Sequence, residues 1–390
     1  MKKYSILIVG IRCYYGHIRE FIVNLKKKNP LVEISLVSSP LREEAKKELN
    51  EYVDRFVIHK SYCGKLRFRY FVILINVFYY IKVFLGLYLF NKHFDIVDIH
   101  FPNRHIKFAM PFLKMMSKNI VITPWGSDVL RVEEEKSIIE LGKIYAQAKY
   151  ITLNKDSQLG QCVMDKYKVN PDKMVKLDWG GEFFDYVQEN SERVTSEAAK
   201  ARFGLSGKYV ITCGYNTQRE QRHEQIIDAI FGVRDRLPDN TVLLFPFTYG
   251  RTAWSDKYTE GLKEKCRDLG LVFVAVEENL DMLDLLKLRM STDIFVHVQT
   301  TDAGSRCVME YVACNKKVVH GSWIKYAYLE DYKPSCYFPV DKMDDLGECI
   351  VNAYHSEISA LPEEVKKIIM ERGWRHKMTL WNEFFESLIE

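Results

Sequence analysis

The sequence predicts two tandem α/β domains, each a doubly wound parallel sheet of the Rossmann-like kind, facing an interdomain cleft. The first observation is that short β-branched runs alternate with longer amphipathic segments along all 390 residues. The second is that these runs are almost continuously apolar, which is typical of strands covered on both faces by helices. The third is that two such series follow one another, separated by a polar and weakly patterned stretch.

The elements follow in order along each half. In the first half the predicted strands are "YSILIV", "EISLVS", "RFVIH", "FDIVDIH", "NIVITP", "KYITL" and "MVKLD". In the second half they are "KYVITC", "TVLLFP", "LVFVA", "DIFVHV" and "KKVVH". Helical patterns such as "QIIDAIFGVRDRL" and "DMLDLLKLRM" lie between them, and "WRHKMTLWNEFFESLIE" predicts one closing amphipathic helix.

These patterns predict the boundaries of the domains. The expected parts are an N-terminal domain over 1–187, a linker over 188–207, a C-terminal domain over 208–372, and a terminal helix over 373–390 that crosses back to the first domain.

Composition favours a cytoplasmic protein. The nine cysteines form no CxxC pairs or Cys/His clusters, which indicates reduced thiols. The opening "MKKYSILIVG" is better interpreted as a first strand than as a signal peptide, because its apolar run is too short and no small-residue cleavage site follows.

Charge is distributed unevenly between the two halves. Residues 1–187 hold 30 Lys/Arg against 20 Asp/Glu, whereas residues 188–390 hold 26 against 32. The basic half is expected to bind an anion. The candidates are anionic lipid, a pyrophosphate-linked acceptor and nucleic acid.

The run from Phe71 to Phe90 has 20 residues and a single charge, Lys82. Its length would suffice to span a bilayer, but the strand "FDIVDIH" follows immediately and belongs to the same predicted sheet. Three interpretations stay open: a spanning helix, a buried long helix, and a helix that also contacts the membrane surface.

The stretch "TTDAGSRCVMEYVACNKKVV" lies between two predicted strands and is expected to form a loop and a helix from Ser305 to Cys314. The loop would open at the carboxyl edge of the sheet, where ligands bind in such folds. Gly304 would allow close approach of a pyrophosphate to the helix N-terminus, and Glu310 could accept from two ribose hydroxyls. Asp302 would lie nearer the reactive end of the ligand. The alternative is that both carboxylates are solvated groups beside a helix start.

The same stretch resembles the donor-site signature of glycosyltransferase family 4, in which a Glu-x7-Glu pair brackets a glycine-containing turn. Asp302 stands for the first Glu and Glu310 for the second, while Ala303-Gly304-Ser305 replaces the usual Gly-Phe-Gly. Other segments are similar to the family in order: "FDIVDIHFP", "TPWGSDVLR", "VKLDWGGEFF", "ITCGYNTQREQRHEQIIDAI" and the closing helix.

The resemblance implies a GT-B fold with a donor side in the second domain and an acceptor side in the first. The implied donor-binding residues are Gly214, Tyr215, Asn216, Arg219, Arg222, Gly304, Ser305, Arg306 and Glu310. The implied acceptor-side residues are Gly16, His17, His100, Trp125 and Asp128. The residues predicted to act in catalysis are Asp302, Asp128, His17, Arg219 and Arg222.

Structural alternatives remain open for several of these residues. Arg219 and Arg222 suit phosphate oxygens at a strand-to-helix loop, but they could also be solvated residues of a helix start. Asp128 could polarise an acceptor hydroxyl or cap the helix that follows it. His17 and His100 could be cleft groups or ordinary structural residues.

The implied activity is transfer of a sugar from a nucleotide-diphosphate sugar, with UDP-sugar expected, to a glycan or lipid-linked acceptor. The family resemblance implies a retaining reaction without a metal or other cofactor, in surface polysaccharide or glycan biosynthesis, with peripheral inner-leaflet contact and no nucleic-acid partner. No Asp-x-Asp pair, GxxxxGK[ST], GxSxG or HExxH occurs in the sequence. A nucleotide-sugar 2-epimerase and a non-catalytic, membrane-attached carbohydrate-binding protein are the alternatives.

Overall fold

The computed structural model describes residues 1–11, 13, 15–60, 69–91, 93–248, 253–302 and 304–389. The chain divides into two compact units. The first unit comprises Met1–Gly180 and Trp374–Glu390, and the second comprises Gly181–Gly373. The chain therefore passes between the units twice.

The first unit alternates strands and helices. Its elements up to residue 180 are β1 (Ser5–Gly10), α1 (Tyr15–Lys28), β2 (Glu33–Ser38), α2 (Glu43–Leu49), β3 (Arg55–Ile58), α3 (Arg69–Asn91), β4 (Ile96–His100), α4 (Met110–Met116), β5 (Ile120–Thr123), α5 (Ser127–Leu130), α6 (Glu135–Gln147), β6 (Tyr150–Ile151) and α7 (Gln158–Tyr167). The described strands form one parallel sheet in the order β3-β2-β1-β4-β5-β6. Strand order reverses between β1 and β4, which makes a topological switch point there.

The second unit repeats this plan. Its elements are α8 (Glu182–Asn190), α9 (Ser196–Arg202), β7 (Tyr209–Cys213), α10 (His223–Gly232), β8 (Thr241–Pro246), α11 (Ala253–Asp268), β9 (Val272–Val276), α12 (Met282–Met290), β10 (Ile294–His297), α13 (Arg306–Ala313), β11 (Lys317–Gly321), α14 (Ala327–Tyr332), β12 (Tyr337–Val340), α15 (Leu346–His355) and α16 (Glu363–Met370). The described strands are parallel, in the order β12-β11-β10-β7-β8-β9. The switch point of this sheet lies between β7 and β10. The predicted fold class, two doubly wound parallel sheets, is confirmed.

The closing helix, α17 (Trp374–Ser387), belongs to the first unit. Its apolar face, which includes Trp381 and Phe385, is buried in one core cluster with β1, β2 and α1. The indole N–H of Trp374 also donates to the Glu20 carboxylate at 2.9 Å. The first hydrophobic core is thus completed by residues from the far end of the chain.

Three features differ from the expectations. The run "MVKLD" forms only an isolated bridge between Met174 and Ile151 rather than a strand. β12 was not expected, because its four residues "YFPV" include a proline and make too short a run. The expected boundary at 187 and linker over 188–207 give way to α8 and α9, which lie in the second unit because their apolar side chains are buried in its core.

The apolar run of the first half forms α3. Tyr80, Phe84 and Leu87 pack into the core on one side of this helix. The opposite face carries large apolar side chains that are between 38% and 64% exposed, namely Leu74, Phe78, Ile81, Leu85 and Leu89, and Phe90 near the end of the helix is 84% exposed. Within the described part of the chain, α3 included, no helix combines the length and the apolar character that crossing a bilayer requires.

Candidate functional site

The loops after β7 and β10 lie on either side of the switch point in the second unit. The backbone N–H of Thr300, after β10, donates to the carbonyl of Glu220, after β7, at 3.2 Å. The predicted donor-side residues 214–222, 302 and 304–306 are therefore brought to one edge of one sheet. Ligands of doubly wound folds bind at this edge.

Gly214 begins the first of these loops and has a φ of +63°, which glycine adopts without strain. A Cβ atom there would lie 2.9 Å from both Oε1 of Gln221 and Nε2 of His223. Asn216 is buried two residues later, and its Oδ1 accepts from the Gln218 N–H at 2.9 Å. Gly214 and Asn216 thus shape the loop.

Gln299 connects the loops through hydrogen bonds. Its Oε1 accepts from Nε2 of Gln221 at 2.6 Å and from the Tyr215 hydroxyl at 3.3 Å. Its backbone carbonyl accepts from the indole N–H of Trp323, after β11, at 2.8 Å. Gln299 therefore holds together the loops that follow the three adjacent strands β7, β10 and β11.

Arg222 brings a cation to this edge. It is half-buried, with its guanidinium stacked 5.2 Å from the ring centroid of Trp323, and burial lowers its pKa. Among the residues that the structure describes, no carboxylate lies within ion-pairing distance of it. Arg219 is exposed and stacks over Tyr258 at 5.7 Å. A half-buried cation without an acidic partner is a group to which an anionic ligand can bind.

Asp302 lies on the other side of the switch point and is largely buried. Its Oδ2 accepts from the Tyr326 hydroxyl at 2.6 Å and from the Ser305 N–H at 3.1 Å, and lies 3.4 Å from Nε2 of His297. Burial by itself would raise the pKa of Asp302. The interaction with the His297 ring and the hydrogen bonds from Tyr326 and Ser305 outweigh that effect, so the pKa lies below its ordinary value.

The turn between Asp302 and α13 presents backbone groups. Gly304 has a φ of +95°, and its position would leave a Cβ without a described neighbour within 4 Å. Ser305 caps α13 by accepting from the Cys307 N–H at 3.1 Å, and Arg306 is the first helical residue. The helix N-terminus therefore adds a partial positive charge at the same edge as Arg222.

Glu310, predicted to accept from two ribose hydroxyls, has one carboxylate oxygen engaged inside the protein. It is buried, and its Oε2 accepts from Nε and Nη2 of Arg289, on α12, at 3.0 Å and 2.7 Å. Nη1 of the same arginine donates to the Tyr311 hydroxyl at 3.1 Å. One oxygen of Glu310 is thus committed to an internal ion pair, and the predicted contact with ribose would have to use Oε1 alone.

The predicted acceptor-side residues lie around the switch point of the first unit. Gly16 and His17 are in the first turn of α1, directly after β1, and the His17 ring contacts Trp125 edge-on at 5.5 Å. Trp125 is half-buried after β5 and also contacts Trp179 at 5.3 Å. The structure therefore brings His17 and Trp125 together at the carboxyl edge of this sheet.

His100, predicted as an acceptor-side residue or an ordinary structural one, is buried in the first unit. It ends β4 and is 1% exposed. Its Nε2 lies 2.9 Å from Oδ2 of Asp98, and its Nδ1 accepts from the Trp125 indole N–H at 3.4 Å. Both ring nitrogens therefore contact side chains inside the first unit, and His100 holds the Trp125 side chain in position.

Asp128 is buried at the start of α5. Its Oδ1 accepts from the backbone N–H groups of Trp125 and Gly126 at 2.9 Å and 2.8 Å. Its Oδ2 is buried and has no hydrogen-bond partner among the described residues. Burial raises the pKa of Asp128 to about 7, against the backbone hydrogen bonds that lower it. Asp128 therefore fixes the turn before α5 and is also a carboxyl group able to exchange a proton near neutral pH.

Several residues of this site were not predicted from the sequence, namely Gln221, His297, Gln299, His320, Trp323 and Tyr326. A histidine that ends the apolar run "DIFVHV" is the one local signal among them. In the described ranges, no group of three or more His, Cys, Asp or Glu side chains is arranged to hold a metal ion.

Comparison with solved structures places both units within one fold class. A glycosyltransferase from Rickettsia africae superposes with a TM-score of 0.71 over 100% of both chains, at 16% identity. HepE from Anabaena, in complex with UDP and glucose, superposes with a TM-score of 0.72 over 98% of this chain and 100% of its own, at 13% identity. The sucrose-phosphate synthase of Thermosynechococcus elongatus gives 0.72 over 99% of each chain, at 10% identity.

These neighbours have the GT-B fold, and the present chain therefore has it too, as the resemblance implied. No protein-family model and no curated protein sequence matches the chain.

Proposed function

We propose that this chain is a glycosyltransferase that moves a sugar from a nucleotide-diphosphate sugar to a glycan or lipid-linked acceptor. The main support for this proposal is the environment of Arg222. Its guanidinium is half-buried at the switch point of the sheet, stacks on Trp323, and has no carboxylate partner in the described structure. The HepE structure, which contains UDP and glucose, supports a uridine nucleotide as the first donor to test.

The proposed chemistry rests on charge. Departure of the nucleotide diphosphate leaves negative charge on its β-phosphate, and fixed positive groups that face this charge lower the barrier. We assign this role to Arg222, Arg219 and the backbone N–H groups at Gly304 to Arg306. Asp302 would accept from hydroxyls of the donor sugar, and Oε1 of Glu310 from ribose. The resemblance to family 4 supports retention of configuration and a reaction that needs no metal.

We assign the acceptor to the first unit. This unit holds 32 Lys/Arg against 21 Asp/Glu, whereas the second holds 24 against 31, so an anionic acceptor fits the first. His17, Trp125 and Asp128 are the proposed contacts. The exposed apolar face of α3 supports peripheral contact with the inner leaflet of a membrane, which would give access to lipid-linked acceptors in surface polysaccharide synthesis from the cytoplasmic side.

Nucleotide binding tests the donor site directly. Calorimetric titration with UDP, GDP and TDP, and with their glucose conjugates, is expected to show binding of at least one nucleotide. Arg222→Gln should weaken that binding roughly 10- to 150-fold, because a hydrogen bond to a charged group contributes about 1.5–3 kcal/mol.

Arg234→Gln is the matched control. Arg234 belongs to the same unit, is exposed, and stacks on Phe231, so its loss should leave nucleotide affinity unchanged. Equal affinity in wild type and in folded Arg222→Gln would contradict the donor site. Sugar turnover without any acceptor would contradict transfer and favour the 2-epimerase alternative.

A further inference from the structure

Two buried histidines, His297 and His320, lie behind Asp302 in the second unit. His297 ends β10 and His320 lies on β11, in direct register, and both are 0% exposed. Their ring planes are 12° apart and the ring centroids 5.1 Å apart, and the two Nδ1 atoms lie 3.0 Å from each other, so the rings meet edge to edge. Two nitrogens at this distance share one hydrogen, so one of them donates and the other accepts.

The surroundings of His320 decide which nitrogen donates. Its Nε2 lies 3.0 Å from the carbonyl oxygen of Ile324, which can only accept, so Nε2 carries a hydrogen. Burial, together with the neighbouring His297 ring, lowers the pKa of His320 to about 3. His320 is therefore neutral, with its single hydrogen on Nε2. Its Nδ1 accepts, and the Nδ1 of His297 must donate.

The remaining nitrogen of His297, Nε2, faces Oδ2 of Asp302 at 3.4 Å. The tautomer with a lone pair on Nε2 would place two electron-rich atoms against each other in a buried site. The same Oδ2 already accepts from the Tyr326 hydroxyl and the Ser305 N–H, which is the environment of an ionised carboxylate. A second hydrogen on Nε2 of His297 removes this repulsion and places a positive ring beside the carboxylate; the contact is a charge contact, because Nε2 makes no hydrogen bond in the described structure.

We propose that His297 and His320 form a buried proton relay behind Asp302, in which His297 carries a hydrogen on both ring nitrogens and keeps the Asp302 carboxylate ionised. This inference rests on the proposed function insofar as Asp302 contacts the donor sugar. His297 acts through Asp302 and is a positioning residue, and His320 fixes its orientation.

The other titratable groups that face the relay are neutral at pH 7, because burial raises the pKa of each. They are Tyr215, Cys307, Tyr326, Tyr328 and Tyr337. Beyond Cys307 lie Arg306 and the ion pair of Arg289 with Glu310.

The first test needs no nucleotide and so does not depend on the proposed function. Nuclear magnetic resonance of ¹⁵N-labelled histidine rings, with the His297 signal assigned from His297→Gln, should show a ring protonated on both nitrogens at pH 7. In Asp302→Asn the same ring should become neutral. A singly protonated His297 ring in the wild type at pH 7 would overturn the proposal.

The second test measures how the rate depends on pH. In His297→Gln the cation is lost and Asp302 remains buried, so the acid limb of the kcat/KM profile should move up by at least one pH unit. His320→Gln, which still offers an acceptor and a donor, should retain the wild-type limb, whereas His320→Leu should shift it. A merely structural role would lower the rate equally at every pH.

His355→Gln, on the last turn of α15, is the matched control and should leave the profile unchanged. A His297→Gln profile with the wild-type acid limb would refute the relay. If the wild type transfers no sugar from any nucleotide donor, the proposed function fails, and the ring measurement alone then decides on the relay.

Discussion

At the scale of single residues, Glu310 shows how a site residue can depend on a partner that is distant in sequence. The family resemblance marks it as a ribose contact, yet Arg289 donates twice to its Oε2. The side chains of this pair are 9% and 7% exposed. Removal of either charge leaves the other buried without compensation.

Glu310→Ala is therefore expected to destabilise the protein as well as to weaken nucleotide binding. The free energy of unfolding should fall by about 3–5 kcal/mol, as for other broken buried pairs. The double variant Glu310→Met with Arg289→Met should recover most of this loss but not the nucleotide affinity. Urea denaturation followed by circular dichroism measures the first effect. A Glu310→Ala variant as stable as wild type would contradict the importance of the pair.

Asp128 should make stability depend on pH. Its pKa is about 7 in the folded protein and near 3.8 when unfolded, so the folded state holds a proton that the unfolded state releases between these values. Stability should then fall as pH rises from 4 to 7, by up to about 4 kcal/mol.

Asp128→Asn removes this contribution, since its amide does not titrate. Its free energy of unfolding should change less between pH 4 and pH 7 than that of wild type. Asp156→Asn, at an exposed position of the same unit, serves as the control and should follow the wild-type curve. Parallel curves for wild type and Asp128→Asn would show that Asp128 ionises as an ordinary carboxyl.

At the scale of elements, α3 carries apolar side chains on two opposite faces. Exposed Leu74, Phe78, Ile81, Leu85 and Leu89 are spaced by three or four residues, so they form one stripe. Lys82 lies beside this stripe and is exposed. A helix that shows apolar groups and a cation to solvent fits the proposed contact with the surface of an anionic bilayer.

Leu74→Ser with Phe78→Ser should reduce binding to vesicles of mixed phosphatidylcholine and phosphatidylserine by about tenfold or more, since each large side chain contributes about 1.5–3 kcal/mol on burial. Sedimentation with sucrose-loaded vesicles measures this binding. Ile139→Ser, which removes an equally exposed apolar residue from α6, is the matched control. Unchanged vesicle binding in the double variant would rule out α3 as the membrane contact.

At the scale of the whole molecule, the hydrophobic core of the first unit is built from both ends of the chain. Trp374, Trp381 and Phe385 of α17 are at most 1% exposed, and they share a core with β1, β2 and α1. Phe21 of α1 contacts Trp381 edge-on at 5.0 Å. The second unit, in contrast, is one continuous segment, Gly181–Gly373.

In a variant that ends at residue 373, the first unit is therefore expected to lose its cooperative unfolding transition. The second unit is expected to keep its own transition. Loss of two buried tryptophans and a phenylalanine should cost several times the about 3–5 kcal/mol of a single large-to-small substitution. Limited proteolysis should degrade 1–180 while 181–373 persists, and the peptide 374–390 added in trans should restore protection. A chain that ends at Leu388 is the control. Protection of 1–180 without α17 would refute this dependence.

The order of most strands and helices and the position of the main loops could be predicted from the sequence alone. Continuous apolar runs predicted both sheets, and "TTDAGSRCVMEYVACNKKVV" predicted the loop, the helix and the strand that the structure shows as α13 and β11. These features are local, because a repeating apolar pattern or a glycine turn is visible within a few residues. The sequence did not predict strand β12 or the helical segment after residue 181.

Which side chains are in contact could not be predicted from the sequence. His297 and His320 are neighbours because β10 and β11 pair in parallel, and Glu310 meets Arg289 because α12 and α13 pack together. Arg222 faces Trp323 because β7 and β11 flank β10. Charge, protonation and hydrogen bonding depend on such contacts between distant segments, and a single sequence records none of these distances.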